Sequence, residues 1–371
     1  MCNGSAWTVA AITGVDPAKL CGPISHANRL WFYERGTLTL WYLQTGTFQG
    51  EAKPVYLDAF LSQAGEIVSI GVLDGDGGTN PNDALVAVTN RGQMIVYDGP
   101  NPDTQATFSK RGVYPIPVPV GRKCLTKLGG DLSILTVNGV LSATSLMPSP
   151  DANKKTDGIT ESIRPPLIAS LAATPNDPVW SVLDSSTSAL IILNAPDGQW
   201  VMSPETKGWS RMKGLAATCW LQMPGDLYFG RADGKVCRYA GSADDGTAIQ
   251  SLMITGWSRI KGAGKTVLHR CRPVFRANHP YRARIEAIRD YREPADGYPA
   301  TYTDDGFWAW PETYEGVTGQ QMIRPLSNRI GQWRGLSGHA DDALAFIVAM
   351  KATGQIAWDE LHVSAEKGKL V

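Results

Sequence analysis

Five stretches of this chain repeat one pattern, in which an apolar-rich run, a turn dipeptide ending in glycine and a second apolar-rich run follow one another. They are RLWFYERGTLTLWYL (Arg29 to Leu43), ALVAVTNRGQMIVY (Ala84 to Tyr97), DLSILTVNGVLSAT (Asp131 to Thr144), ALIILNAPDGQWVM (Ala189 to Met202) and DLYFGRADGKVCRY (Asp226 to Tyr239). Short runs closed by turn residues, with little helical periodicity, predict β-hairpins. Asn-Gly and Asp-Gly suit two-residue turns because both central residues need positive φ. The turn glycines Gly36, Gly92, Gly139, Gly198 and Gly234 recur at intervals of 56, 47, 59 and 36 residues. Propeller blades of four strands repeat every roughly 40 to 50 residues. One hairpin per blade therefore predicts an all-β chain with a β-propeller of about five or six blades. A β-sandwich with long loops is the other fold such a string fits.

The pattern changes at GSADDG (Gly241 to Gly246), a polar, turn-rich joint. Beyond it the strand-like segments lengthen, and RARIEAI alternates Arg282, Arg284 and Glu286 with Ala283, Ile285 and Ala287. The expected organisation is a propeller over residues 1–245 and a β-rich platform domain, sandwich or barrel-like, over 246–371. A length of 371 residues is consistent with two domains.

Composition excludes several function classes. Thirty-five basic residues balance 35 acidic ones, so contact with nucleic acid or membrane across the whole surface is not expected. The longest apolar run, Ala343 to Met350, is too short to span a bilayer. The start, MCNGSAW, has no signal-peptide pattern, which predicts a protein made and kept in a cytosol. Six widely spaced cysteines without a CxxC pair predict free thiols rather than zinc or redox sites.

The candidate chemical motifs are each incomplete. KGAGKT (Lys261 to Thr266) ends like a phosphate-binding loop, but Arg259 stands where the first glycine belongs and Pro273 follows too soon for the required helix. DGDGGTNPND (Asp74 to Asp83) clusters carboxylates as a Ca²⁺ loop does, without the closing glutamate, and a solvated turn between blades is the simpler reading. GLSGH (Gly335 to His339) misses the nucleophile-elbow pattern by its last residue. The five histidines show no HxH or HxxxH spacing. Asp131 and Asp226 recur after glycine in similar contexts, as turn-stabilising residues do. No catalytic residue, cofactor or metal ligand is expected.

One concentration of charge stands out. Between Arg259 and Arg292 ten Lys/Arg oppose only Glu286 and Asp290. A strand pair presenting Arg270, Arg272, Arg282 and Arg284 on one face, with Arg276 nearby, would contact phosphates or an acidic partner subunit. The alternative is a solvated face neutralised by acids of the same chain. Arginine's fork of donors favours interfaces.

NRLWFYERGTLTLWYL, GEIVSIGVLDGDGG, NDALVAVTNRGQMIVYDGPNP and GVYPIPVPVGRKCLTKLGGDLSILTVNGV, in that order, resemble the tail nozzle (tail tubular protein B-like) family of short-tailed bacteriophages. RPVFRANHPYRARIEAIRDY and WRGLSGHADDALAFIVAMKATGQIAWDELHVS are similar more loosely. The resemblance implies a non-enzymatic virion protein, assembled in the bacterial cytoplasm into a homohexameric ring at the distal end of the tail. It implies a propeller joined to a β-rich platform, passage of double-stranded DNA without sequence readout, and contacts with the head-tail connector, fibres or spikes, and a needle or plug. It implies no membrane insertion by this chain, and it places the arginine-rich stretch at a subunit, connector or DNA-facing surface. The reading from a different class is a carbohydrate-binding or carbohydrate-cleaving propeller, whose aromatics, Trp308 and Trp310 among them, would stack on sugars.

Overall fold

The computed structural model describes residues 9–74, 83–104, 107–147, 158–185, 190–259, 266–277, 281–291, 308–310, 329–331, 333–340 and 343–367, with the main chain alone at 308–310, 329–331, 337–339 and 367. The chain divides into two compact units, Met1–Ala240 and Gly241–Val371.

Among the described residues, the first unit contains five small antiparallel sheets that follow one another in chain order. Blade 1 comprises Leu20–His26, Arg29–Glu34, Thr39–Tyr42 and Lys53–Tyr56, and blade 2 comprises Ile67–Leu73, Ala84–Thr89, Gln93–Asp98 and Ser109–Pro115. The described strands of blade 3 are Leu125–Leu128, Asp131–Thr136 and Gly139–Ser142. Blade 4 comprises Ser181–Ser185, Leu190–Ala195, Gly198–Met202 and Trp209–Met212, and blade 5 comprises Ala217–Met223, Asp226–Arg231 and Val236–Arg238. First strands of successive blades adjoin one another, which is the arrangement of a β-propeller. Each of the five sequence repeats forms the second and third strands of its blade.

The turn glycines all adopt positive φ, from 73° at Gly92 to 133° at Gly198. The turns differ from the expected two-residue form, however. In blades 3 and 4 the loop residues are Val137-Asn138 and Pro196-Asp197, and the glycine falls one place later, paired with Thr136 or Ala195. Neither Asn138 nor Asp197 has positive φ, so a right-handed turn followed by one left-handed glycine closes the hairpin. The tight turn with both central residues left-handed is Ala27-Asn28 in blade 1, at φ of 51° and 57°, where no glycine announces it.

Apolar side chains bind each blade to the next. One core joins blades 2, 3 and 4 through Val86, Val96, Leu132, Ile134, Leu193 and Trp200. The helix Arg164–Ala173 follows blade 3 and adds Leu167 and Leu171 to that core. Its two prolines fall in the first turn, where their missing N–H groups cost no hydrogen bond. A second core joins blades 1 and 2, where Trp31, Tyr42, Tyr97 and Phe108 form a chain of ring contacts 4.9 to 5.6 Å between centroids.

A polar clasp closes this second seam. Arg29, 9% exposed, donates from Nη2 to Asn101 Oδ1 at 2.9 Å and lies 3.4 Å from Asp103 Oδ2. Asp103 also accepts from Tyr42 at 2.9 Å and Lys53 at 2.7 Å. The Lys53 ammonium is the main reason that Asp103 is held below the usual carboxylate range. Nearby, His26 is 4% exposed and its Nε2 donates to the Gly99 carbonyl at 3.3 Å, while Nδ1 is buried without a protein partner. Burial lowers its pKa, opposed more weakly by the Gly99 bond and by Asp83.

The second unit is a β-sandwich. One sheet contains Thr247–Ile254, Ala343–Ala352, Tyr281–Arg289 and Trp308–Trp310, hydrogen-bonded in that order, with the hairpin pair Ala243–Asp244 at one edge. The other is built on Thr266–Ala277, which pairs along its length with Ile356–Lys367 and along its opposite edge with Arg329–Gly331 and Arg334–Ala340. Leu268, Cys271 and Phe275 meet Ala283, Ile285, Phe346 and Val348 between the sheets. GSADDG is itself a tight hairpin, with Asp245 and Gly246 both at positive φ.

Two stability tests follow from the blade 1–2 seam. Arg29→Met leaves Asn101 Oδ1 and the Leu43 carbonyl without their donor, while Asp103 keeps Lys53 and Tyr42, and is expected to cost about 1–2 kcal/mol in urea unfolding. Because the folded pKa of His26 lies below its unfolded value near 6.5, the unfolded chain binds more protons as pH falls through that value. Stability is then expected to drop with falling pH, by at most about 1.4 kcal/mol per unit from this group, and His26→Gln is expected to flatten the curve.

Candidate functional site

The arginine-rich stretch does not form one face. Arg270, Arg272 and Arg276 lie on Thr266–Ala277, whereas Arg282 and Arg284 lie on Tyr281–Arg289, and these two strands belong to different sheets. Each strand turns most of its apolar residues into the shared core, and the arginines lie on the two outer faces, on the second of which Ile288 packs with Ala345, Ile347 and Trp257. The expectation of a single strand-pair face carrying Arg270, Arg272, Arg282 and Arg284 is therefore corrected. Alternation along each strand was readable, but the crossover between sheets depends on long-range pairing with the chain's last 30 residues.

Acids from those late strands also meet the arginines. Asp359 accepts from Arg276, Nε to Oδ1, at 2.9 Å. Arg272 stands directly opposite His362 and Arg270 opposite Ser364, with Glu360 and Glu366 alternating along the same strand. His362 Nε2 lies 3.0 Å from Glu360 Oε2 and His269 Nε2 lies 3.5 Å from Glu366 Oε2. On the other sheet Arg284 donates from Nε to Glu286 Oε1 at 2.7 Å, and Arg282 is directly opposite Lys351. Among the described residues the first outer face thus mixes both signs, and the second brings Arg282, Arg284 and Lys351 together with Glu286.

The weaker motifs resolve as structural features where they are described. Lys261 to Lys265 lie outside the described residues, but Thr266 opens a strand rather than the helix a phosphate loop needs. GLSGH lies within the strand Arg334–Ala340, not at a strand-to-helix turn. Asp74 is 3% exposed and accepts from Lys127 Nζ at 2.8 Å, and residues 75–82 of its acidic loop lie outside the described residues. Asp131 accepts from Ser142 and, at 2.6 Å, from Thr144, locking the end of blade 3. His279 and the side chains of Trp308, Trp310 and His339 lie outside the described residues.

Among the described residues, no group of three His, Cys, Asp or Glu is placed to hold a metal ion. The described cysteines are free, and burial pushes Cys124 up to about 12 and Cys271 up to about 11, away from thiolate chemistry at neutral pH. Among the described residues, no helix is long and apolar enough to cross a membrane.

The feature that sequence reasoning missed is apolar. Leu221, Met223 and Val236 of blade 5 are 59%, 49% and 77% exposed. The alternation in TCWLQM was available as a signal, but which of its two faces is covered depends on how many blades follow.

No family model matches this chain, and no curated protein matches it. Several solved structures are similar. The AfRom2 CNH domain is 10% identical, covering 67% of this chain and 75% of its own, with a TM-score of 0.35. The WD40 domain of SCAP from fission yeast is 11% identical, covering 60% of this chain and 52% of its own, with a TM-score of 0.32. A glycoside hydrolase family 43 arabinoxylan arabinofuranohydrolase from Bacillus subtilis is 10% identical, covering 94% of this chain and 95% of its own, with a TM-score of 0.26. At these scores the likenesses bring no substrate or partner to this chain, and the propeller rests on the order of its own sheets. No phage component is among the three.

If Arg270 and Arg272 serve a surface rather than the fold, Arg270→Ser combined with Arg272→Ser is expected to change stability by less than about 0.5 kcal/mol, as read by thermal melting.

Proposed function

We propose that this chain is a non-enzymatic virion structural protein of the tail-nozzle type. In this reading it forms a ring at the distal end of a short phage tail, passes DNA without reading sequence, and docks the connector, fibres or spikes, and a plug. The observation that carries the reading is where the four resembling segments fall. They fill the middle hairpin of blade 1, the first strand and middle hairpin of blade 2, and the last strand of blade 2 through blade 3. Within them lie Arg29, Tyr42 and Asn101 of the inter-blade clasp. The resemblance therefore covers one continuous packed body rather than unrelated turns.

The second reading, a carbohydrate-binding or carbohydrate-cleaving propeller protein, is favoured by exposed aromatic side chains. Tyr291 is 49% exposed with its ring centroid 4.8 Å from that of Trp257, and Trp333 is 45% exposed. Such rings offer apolar faces to sugars.

The test is quantitative mass spectrometry of particles induced from the source strain. The nozzle reading expects this chain in a fixed ratio to the portal subunit, at about half its abundance, with no glycan-array signal. Absence from particles together with specific glycan binding would replace it with the second reading.

A further inference from the structure

Among the described residues, blade 5 packs one of its two faces against blade 4 and exposes large apolar side chains on the other. Trp220, Leu227 and Tyr239 pack against Ile192 and Val201 of blade 4. Strand register puts Cys219, Leu221 and Met223 on the opposite face, with Tyr228 beside Leu221 and with Val236 and Arg238 on the third strand. Cys219 is exposed there, as are Leu221, Met223 and Val236. Three large apolar side chains gathered on one sheet face differ from the single exposed residues ordinary on any surface.

Blade 1 ends the stack differently. Its face away from blade 2 carries Phe32 and Trp41 and is covered in part by Ile12, Val15 and Leu20. Tyr56 shares that face with Trp41 by register and is 62% exposed, and Phe48, in the loop that follows the third strand, is 55% exposed. The stack therefore ends in two unlike faces with exposed apolar groups. Every interior seam between them is closed by blade-on-blade packing.

We propose that the open face of blade 5 is the subunit contact, and that it receives the blade 1 face of a second copy of this chain. Leu221, Met223 and Val236 then pack near Tyr56 and Phe48, continuing the mode that joins blades within the chain. Because the two surfaces differ, the contact is heterologous, and contacts of that type can close identical subunits into a ring. The inference rests on the ring-forming reading above and names the surface through which the ring assembles.

The experiment uses the full chain, with Leu221→Glu plus Val236→Glu as one variant and Tyr56→Glu as the other, both checked for folding by circular dichroism. Self-association is followed by sedimentation velocity over a wide concentration range, and Cys219 alkylation is followed by mass spectrometry. Wild type is expected to associate with Cys219 protected. Each variant is expected to weaken association at least about tenfold, and their mixture to stop at dimers, because each copy keeps one working face. Association unchanged by the blade 5 variant would overturn the inference while leaving the ring reading in place. Loss only in the blade 5 variant would replace it with a two-fold contact between blade 5 faces. A monomer with protected Cys219 would assign the face to closure within one chain, and a monomer with reactive Cys219 would also overturn the inference. The ring reading falls separately, if particles lack the chain.

Discussion

A small antiparallel sheet has two faces and too little area to be stable alone, and everything in the first unit depends on that constraint. Each blade gains stability only when a neighbour removes its apolar side chains from water, at roughly 25 cal/mol per Å². Blades 2, 3 and 4 meet it with one continuous core. Blade 1 meets it with aromatic rings, Trp31 against Phe108 and Phe108 against Tyr97. After the three described strands of blade 3, a helix adds Leu167 and Leu171 to the core of blades 2, 3 and 4.

The polar clasp at the blade 1–2 seam follows from the same packing. Burying Arg29 beside the ring of Tyr42 removes it from water, so its charge requires Asn101, Asp103 and the Leu43 carbonyl. The loop that brings Asn101 and Asp103 also passes close to itself. A Cβ on Gly99, which sits at φ 102°, would lie 1.6 Å from the Thr107 carbonyl oxygen. Glycine is required there by both conformation and space, and the same residue offers its carbonyl to His26.

The second unit shows how topology redistributes charge. Arg270, Arg272 and Arg276 separate from Arg282 and Arg284 onto two outer faces, because consecutive arginine-bearing strands enter different sheets. Strand Ile356–Lys367 then lays Asp359, Glu360 and Glu366 beside the first group. On the other face Arg282, Arg284 and Lys351 lie together with Glu286.

The sequence by itself determined the kind of fold and the position of its repeating unit, since hairpin formation is local. Alternating apolar residues and a glycine able to take positive φ act over about fourteen residues, and all five such hairpins occupy the same two strand positions in their blades. It did not reveal the Ala27-Asn28 turn, because no glycine marks it, nor the one-residue displacement of the turns in blades 3 and 4. The candidate site was legible as residue types but not as a surface. Whether Arg272 lies beside Arg284 or beside His362, and whether Leu221 is core or surface, depends on strands and blades far away in the chain. Those pairings minimise exposed apolar area across the whole unit, so only the tertiary structure decided them.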